Sequence, residues 1–432
     1  MQSMRGRHRV AARPAALGFA VARPQFGRPS MIHFEDELLD GQLLRTVGHA
    51  TYGAAEIGEC LRAAASIDPR DRETWRSAWF ALAERTRSAA EHSAASGHRV
   101  SARHAFLRAS NYYRNAYILH LEAPFPAVAK EAYLKHRAAF AEAATLWPTP
   151  IERIAIPFEG RSMPGWFCVA PGGGIRPLVI SVGGYDSTAE ESVLWNAIAA
   201  NERGYHALTF DGPGQGAMLI EHGIPFRPDW EVAISAAIDA MASRGDVDTS
   251  KIALIAESLG GYLALGAAAR DRRIAACVLD PPQPNLFRAA LARIPLPEAL
   301  KTDLPHGPAW LVAILRALLT RRARALGAGW PLRRGMLTHG SASPWDYFID
   351  TRRYDHDAQI AAIRCPTLVC AAERDDLTAY AASFFERLTC DKTYVAFTAA
   401  EGAGEHCEIG NRSLMHERTF DWLDGRLGGV RP

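Results

Sequence analysis

The run "KIALIAESLGGYLALGAAA", residues 251–269, is apolar at both ends and polar in the middle. Its first half has the length and content of a buried strand. Its second half, rich in Ala and Leu, suits a helix. Between them stand Glu257 and Ser258, with Gly260 and Gly261 just after. A helix cap in an ordinary turn explains a serine beside glycines and is the plain alternative. A serine nucleophile on a sharp strand-to-helix turn demands more. The residues two before and two after it must be small, so that strand and helix pack closely. Ala256 and Gly260 meet that demand, in an A-x-S-x-G-G pattern with Ala where Gly is usual.

Outward from this turn, short apolar runs alternate with helical stretches. Strands are expected at "IERIAIPF", "MPGWFCVA", "RPLVISVG", "YHALTFD", "KIALIAE", "IAACVLD", "PTLVCAA" and "KTYVAFT". The first two close around "EGRS" as a hairpin. The alternation predicts an α/β fold, a mostly parallel sheet with helices on both faces. Residues 31 to about 150 instead carry apolar and aromatic residues at three- and four-residue spacing, which predicts a helical cap. Residues 285 to about 360 are largely helical and Arg-rich, and far longer than an ordinary connection. They predict an insertion over the carboxyl edge of the sheet that joins the cap. The expected division is a disordered tail at 1–30, the cap at 31–150 and a catalytic unit at 151–432.

At 48% hydrophobic and 22% charged, the chain of 432 residues falls among ordinary globular proteins. Residues 1–30 hold six arginines and no acid. The remainder has 43 basic against 47 acidic residues, a net of −4, which gives no case for nucleic-acid binding. "AALGFAVA" is a short apolar stretch followed by Arg and Pro, a poor match to an export signal. Met1, Met4 and Met31 all stand as starts. No apolar run approaches the ~20 residues of a membrane span. Seven cysteines without a CxxC pair suggest neither a metal site nor a disulfide framework, and a reducing cytoplasm is expected.

A nucleophilic serine needs a base, and the base an orienting carboxylate, in the chain order Ser, acid, His. "CPTLVCAAERDDLTA" places Asp375 and Asp376 just past a late strand; Asp375 fits the turn spacing better and Asp376 is the runner-up. "KTYVAFTAAEGAGEHCEIG" then puts His406 in a Gly-rich loop after one more strand. His416 also follows the acid, but in a helical pattern where an exposed face is expected. An oxyanion hole needs two backbone N–H groups. Leu259, next to the serine, supplies one, and the loop in "LVISVGGYDSTAEES" supplies the other, assigned to Tyr185. "FDGPGQGAM" (210–218) lacks the Lys and Ser/Thr of a P-loop and the GxGxxG spacing, so no nucleotide is expected. No cofactor or metal is expected. Cap-side aromatics Tyr112, Tyr113, Trp330, Trp345, Tyr347 and Phe348 are candidates for the pocket wall.

"DGPGQG", "AESLGGY", "CPTLVCAAERDD" and "EGAGEHCEIGN" together resemble the α/β-hydrolase superfamily in its usual order over residues 150–430. "ASNYYRNA", "GGYDSTAEES" and "GEHCEIGNR" look like the subfamily containing 2,6-dihydroxypseudooxynicotine hydrolase, fungal polyketide-chain-shortening hydrolases and fermentation–respiration switch proteins. The resemblance places the triad on Ser258, Asp375 and His406. It implies C–C hydrolysis beside a ketone, esterase-like activity elsewhere in the group, a helical cap and frequent dimers. It also implies an additional acid near the triad, for which Glu257 and Asp280 are candidates. The expected function is a serine hydrolase of a small aromatic or polyketide-like molecule, working as a homodimer. An esterase, lactonase, thioesterase or peptidase on the same triad is the alternative. A non-catalytic protein that keeps the fold is the second.

Overall fold

The computed structural model describes residues 32–428, apart from 295, 298–300 and 302–303, so the tail expected at 1–30 lies outside the described residues. Among the described residues, five α-helices come first: α1 (Glu37–Gly48), α2 (Ile57–Ala64), α3 (Arg72–Ala95), α4 (Arg99–Ile118) and α5 (Ala127–Thr145). Asp36 caps α1 by accepting from the Leu38 and Leu39 amides, each at 3.0 Å, and Asp71 caps α3 by accepting from Glu73 at 2.9 Å. Such acceptors satisfy amides that a helix start leaves unpaired. Trp75 and Trp79 of α3 pack with Tyr112 and Tyr117 of α4 and Tyr133 of α5 in one buried cluster.

This packing corrects one expectation. Tyr112 and Tyr113 are fully buried within the helical region and do not line the cavity that holds Ser258. Their hydroxyls donate to Glu59 Oε2 at 2.6 Å and Glu84 Oε1 at 2.5 Å. The rings fill the helix interface and the hydroxyls are already satisfied, which is how buried tyrosines usually behave.

Among the described residues, eight strands follow: β1 (Ile151–Phe158), β2 (Arg161–Cys168), β3 (Arg176–Val182), β4 (His206–Phe210), β5 (Val247–Glu257), β6 (Ile274–Asp280), β7 (Thr367–Ala372) and β8 (Lys392–Phe397). They form one sheet in the order β1-β2-β4-β3-β5-β6-β7-β8. β1 and β2 make the expected hairpin, β2 also runs antiparallel to β4, and all later pairs are parallel. Val182 pairs with Ala256 and Glu257 with Asp280, so the carboxyl ends of β3, β5 and β6 lie side by side. Sites in parallel sheets form at this edge.

The insertion leaves after β6 and returns before β7. Its helices include Leu286–Ala292, Ala309–Ala323, Leu326–His339 and Pro344–Asp350. Its ends are tied together, Leu286 donating to the Tyr354 carbonyl at 3.1 Å and His356 to the Pro284 carbonyl at 2.7 Å. Trp330 is buried in the aromatic cluster of the N-terminal helices and donates Nε1–H to the Ile118 carbonyl at 3.1 Å. Arg333 pairs with Glu122 nearby. The two helical parts therefore pack together as one cover. Trp345 is a second correction: it packs with Leu304, Leu311, Leu315 and Phe348 inside the insertion and does not line the cavity. Among the described residues, no helix is long and apolar enough to cross a membrane.

Close packing at the strand-to-helix turn is backbone against backbone. A Cβ on Gly260 would lie 2.1 Å from the Val182 carbonyl oxygen, and one on Gly261 2.0 Å from that of Pro281. Gly260→Ala and Gly261→Ala should each destabilise the fold by about 1–3 kcal/mol through overpacking. Gly425 has open space around its Cβ position. In the helix Arg412–Leu427, Gly425→Ala should stabilise by up to about 1 kcal/mol. Urea unfolding of the three variants checks both signs.

Candidate active site

Ser258 sits between β5 and the helix Gly260–Arg270 with φ of 58°, a left-handed conformation rare for a non-glycine residue. Its amide donates to the Asp280 carbonyl at 2.7 Å, and its carbonyl accepts from Gln283 Nε2 at 2.6 Å. These bonds aim the side chain out of the turn. Ser258 Oγ lies 3.0 Å from His406 Nε2, and His406 Nδ1 lies 2.7 Å from Asp375 Oδ2. Asp375 Oδ1 accepts from the Leu377 amide at 2.9 Å. Asp376 is exposed and heads the next short helix. His416 is 3% exposed rather than on an open face. It donates Nε2–H to the Trp195 carbonyl at 2.8 Å and accepts from the Tyr52 hydroxyl at 3.2 Å. Burial, then the Arg412 charge, pushes it down to about 3.

The loop after β3 runs beside the serine. A Cβ on Gly184 would lie 2.9 Å from Ser258 Oγ and 3.2 Å from the Leu259 amide nitrogen. The Gly184 amide donates to Ser187 Oγ at 2.8 Å. Among the described residues, the Leu259 and Tyr185 amides have no hydrogen-bond partner. Gln215 Nε2 donates to the Gly183 and Gly184 carbonyls at 2.7 and 3.1 Å. The "DGPGQG" segment is therefore a brace for this loop.

Charge holds the same loop from the cover. Arg45 of α1 pairs with Asp186 at 3.2 Å and with Glu191 at 2.6 Å, and Arg334 of the insertion reaches Asp186 at 3.4 Å. Arg114 of α4 reaches Glu191 at 3.2 Å. Burial works against the Asp186 charge, but Arg45, Arg334 and Arg114 prevail and push it down to about 2. Sequence reading missed Gln215, Arg45, Asp186 and Arg334. Only Gln215 had a signal, its place in a glycine-rich loop after a strand.

Behind Ser258 and His406, Glu257 accepts from Asn196 Nδ2 at 2.8 Å and pairs with Arg412 at 2.7 Å. Burial, together with the Asp280 charge, holds the Glu408 carboxyl well above its usual range. Asp280 itself is pushed up to about 6, mainly by burial. Glu257 lines the cavity; Asp280 and Glu408 do not. The cavity holds about 700 Å³ and is lined by Ser258, His406, Tyr185, Trp330, Tyr347 and Phe348, among others.

With fold and site in view, the class of protein is clear: the chain belongs to the alpha/beta hydrolase family, whose model matches residues 169–418. Several curated relatives are named as hydrolases. It is 33% identical to an alpha/beta hydrolase of Acremonium sp, over 94% of this chain and 91% of the relative. It is 32% identical to a 20-hydroxy-prefusarin hydrolase of Gibberella moniliformis (strain M3125 / FGSC 7600), over 90% of this chain and 97% of the relative. Among solved structures, 2,6-dihydroxy-pseudo-oxynicotine hydrolase superposes with a TM-score of 0.70 at 23% identity, over 88% of this chain and 95% of that one. That likeness is one of fold, and it extends across the helical cover.

Enclosure by the cavity walls disfavours a charged His406, but the Asp375 carboxylate outweighs this and raises it above the ordinary histidine value. In an NMR titration, His406 should titrate above ~6.5. Asp375→Asn removes the anion and should lower that value. Asp376→Asn should leave it unchanged.

Proposed function

We propose that this protein is a serine hydrolase with Ser258 as nucleophile, His406 as base and Asp375 as the group that orients it. The observation that carries the reading is the continuous hydrogen-bonded chain of these three side chains, opening into a cavity beneath a helical cover. His406 Nε2 takes the Ser258 proton as Oγ bonds to the substrate carbonyl carbon. The Leu259 and Tyr185 amides bind the resulting oxyanion. Asp375 holds the N–H on Nδ1 and stabilises the imidazolium. The scissile bond breaks, its electron pair leaves with the departing group, and His406 returns the proton there. Water, deprotonated by His406, then releases the acyl group and Ser258 recovers its proton.

The substrate in this reading is a small aromatic or polyketide-like ketone, cleaved at the C–C bond beside the carbonyl. Three things support it: the names of the relatives, the cavity of about 700 Å³ and the cover that closes over it. A stabilised carbanion or enolate needs controlled protonation, which an enclosed site favours by limiting water. Ester hydrolysis on the same triad is the second reading, because an alkoxide leaves by the same steps.

Ser258→Ala and His406→Ala should each lower kcat by about 10⁴-fold or more, and the double variant little further, because the groups act as a unit. A fluorophosphonate probe should label the unsubstituted protein at Ser258 and not Ser258→Ala. A panel of β-diketones, aryl ketones, lactones, simple esters and peptides, with products identified by mass, should show C–C cleavage and only slow ester turnover. Efficient peptide or long-chain ester hydrolysis without C–C cleavage would overturn the preferred reading.

A further inference from the structure

A second polar chain meets the cavity, and the mechanism above leaves it unused. The Tyr185 hydroxyl lies 2.9 Å from His339 Nε2, and His339 Nδ1 lies 2.8 Å from Asp350 Oδ2. The Tyr347 hydroxyl lies 3.2 Å from that of Tyr185. Three segments meet here: the loop after β3, the end of the helix Leu326–His339, and the helix Pro344–Asp350. Both tyrosines line the cavity with Ser258, whereas His339 and Asp350 do not. The Tyr185 ring is fixed by stacking, with the Arg334 guanidinium carbon 4.8 Å from its centroid and 4.5 Å from that of Trp330. The second oxygen of Asp350 accepts from Arg353 at 2.9 Å.

Counting protons sets the direction of this chain. Asp350, though partly buried, is held below its ordinary range by hydrogen bonds from His339 and Arg353, so it is a carboxylate and only accepts. Burial holds His339 below the ordinary histidine value, so the ring is neutral with one N–H. That proton is on Nδ1, facing Asp350, and Nε2 is a bare lone pair. Tyr185 has one O–H, and Nε2 takes it. In the Tyr185–Tyr347 contact the donor is then Tyr347. If the Tyr347 O–H turned outward, two oxygens would face each other at 3.2 Å with no proton between them. Both protons point down the chain, away from the cavity, and the free valences of the two oxygens are lone pairs.

We infer that Tyr185 and Tyr347 form a substrate subsite that accepts a hydrogen bond. It selects a molecule with a phenol, enol or alcohol hydroxyl at this wall over one with a ketone or methyl ether there. The inference deepens the proposed function and rests on it for the identity of this cavity as the substrate site. A hydroxyl donates into the pair. A carbonyl or ether oxygen sets lone pair against lone pair and loses its own hydration without replacement.

Binding is the direct test. The probes are 1-phenylbutane-1,3-dione and its 2′-, 3′- and 4′-hydroxy and methoxy derivatives. Their affinities for Ser258→Ala protein are measured by calorimetry, so that no turnover interferes. At one ring position or more, the hydroxy compound should bind about tenfold more tightly than its methoxy partner. In the same background Tyr347→Phe should cut that ratio below about threefold. Asp350→Asn supplies a reversal. Arg353 holds the amide oxygen, the amide NH₂ faces Nδ1, and the N–H moves to Nε2. Tyr185 then accepts from His339 and donates outward, so the preference should shift to the methoxy compound. No hydroxyl preference at any position, or one that persists in both variants, overturns the inference. Cleavage of the parent diketone by the unsubstituted enzyme is a separate assay of the proposed reaction, so either reading can fail alone.

Discussion

The rest of the structure depends on the left-handed turn at Ser258. A non-glycine residue at φ of 58° stores about 1–3 kcal/mol of strain and needs surroundings that over-determine it. Here the surroundings are backbone. The helix Gly260–Arg270 starts so close to the ends of β3 and β6 that no Cβ fits at Gly260 or Gly261. That close approach brings Gly184 against Ser258 and lets the His406 loop reach Oγ. Were the helix farther from β3, the serine would be an ordinary cap, and no neighbouring loop would meet it.

A second constraint ties the cover to the site. Asp186 and Glu191 belong to the loop and helix after β3, and their arginine partners come from α1, α4 and the insertion. Buried ion pairs gain little net stability, since desolvation offsets most of their attraction, while losing one partner costs several kcal/mol. Their effect here is geometric. The loop that carries the Tyr185 amide is set by Gln215 from below and by arginines of both helical parts from above. The cover is thus part of the site's geometry as well as its roof.

The polar interior behind Ser258 and His406 follows the same logic. Asp280 and Glu408 crowd beside Arg412, which already pairs with Glu257, and burial with the Asp280–Glu408 repulsion raises the Glu408 carboxyl. A proton retained on Glu408 relieves the crowding. Asp280 adds to the field that raises His406. Cys407 and Glu408, directly after the histidine, both take left-handed conformations, with φ of 50° and 49°, so strain continues along this loop.

The sequence by itself determined the alternation of strands and helices, the hairpin at "EGRS", the turn at Ser258 and the order in which Asp375 and His406 follow. Each of these is a local pattern: a period, a small-residue spacing, a loop after a strand. Local patterns could not separate Tyr112, Tyr113 and Trp345, which only fill helix interfaces, from Trp330, Tyr347 and Phe348, which also line the cavity. An aromatic residue has the same periodicity whether its helix turns it toward a neighbour or toward a substrate. Tertiary structure alone brought Arg45 and Arg334 onto Asp186, buried His416 against Trp195 and Tyr52, and lined up Tyr347, Tyr185, His339 and Asp350. Those contacts span up to 364 residues of chain, and no short-range signal encodes which charge or hydroxyl will find which partner once the helices have packed.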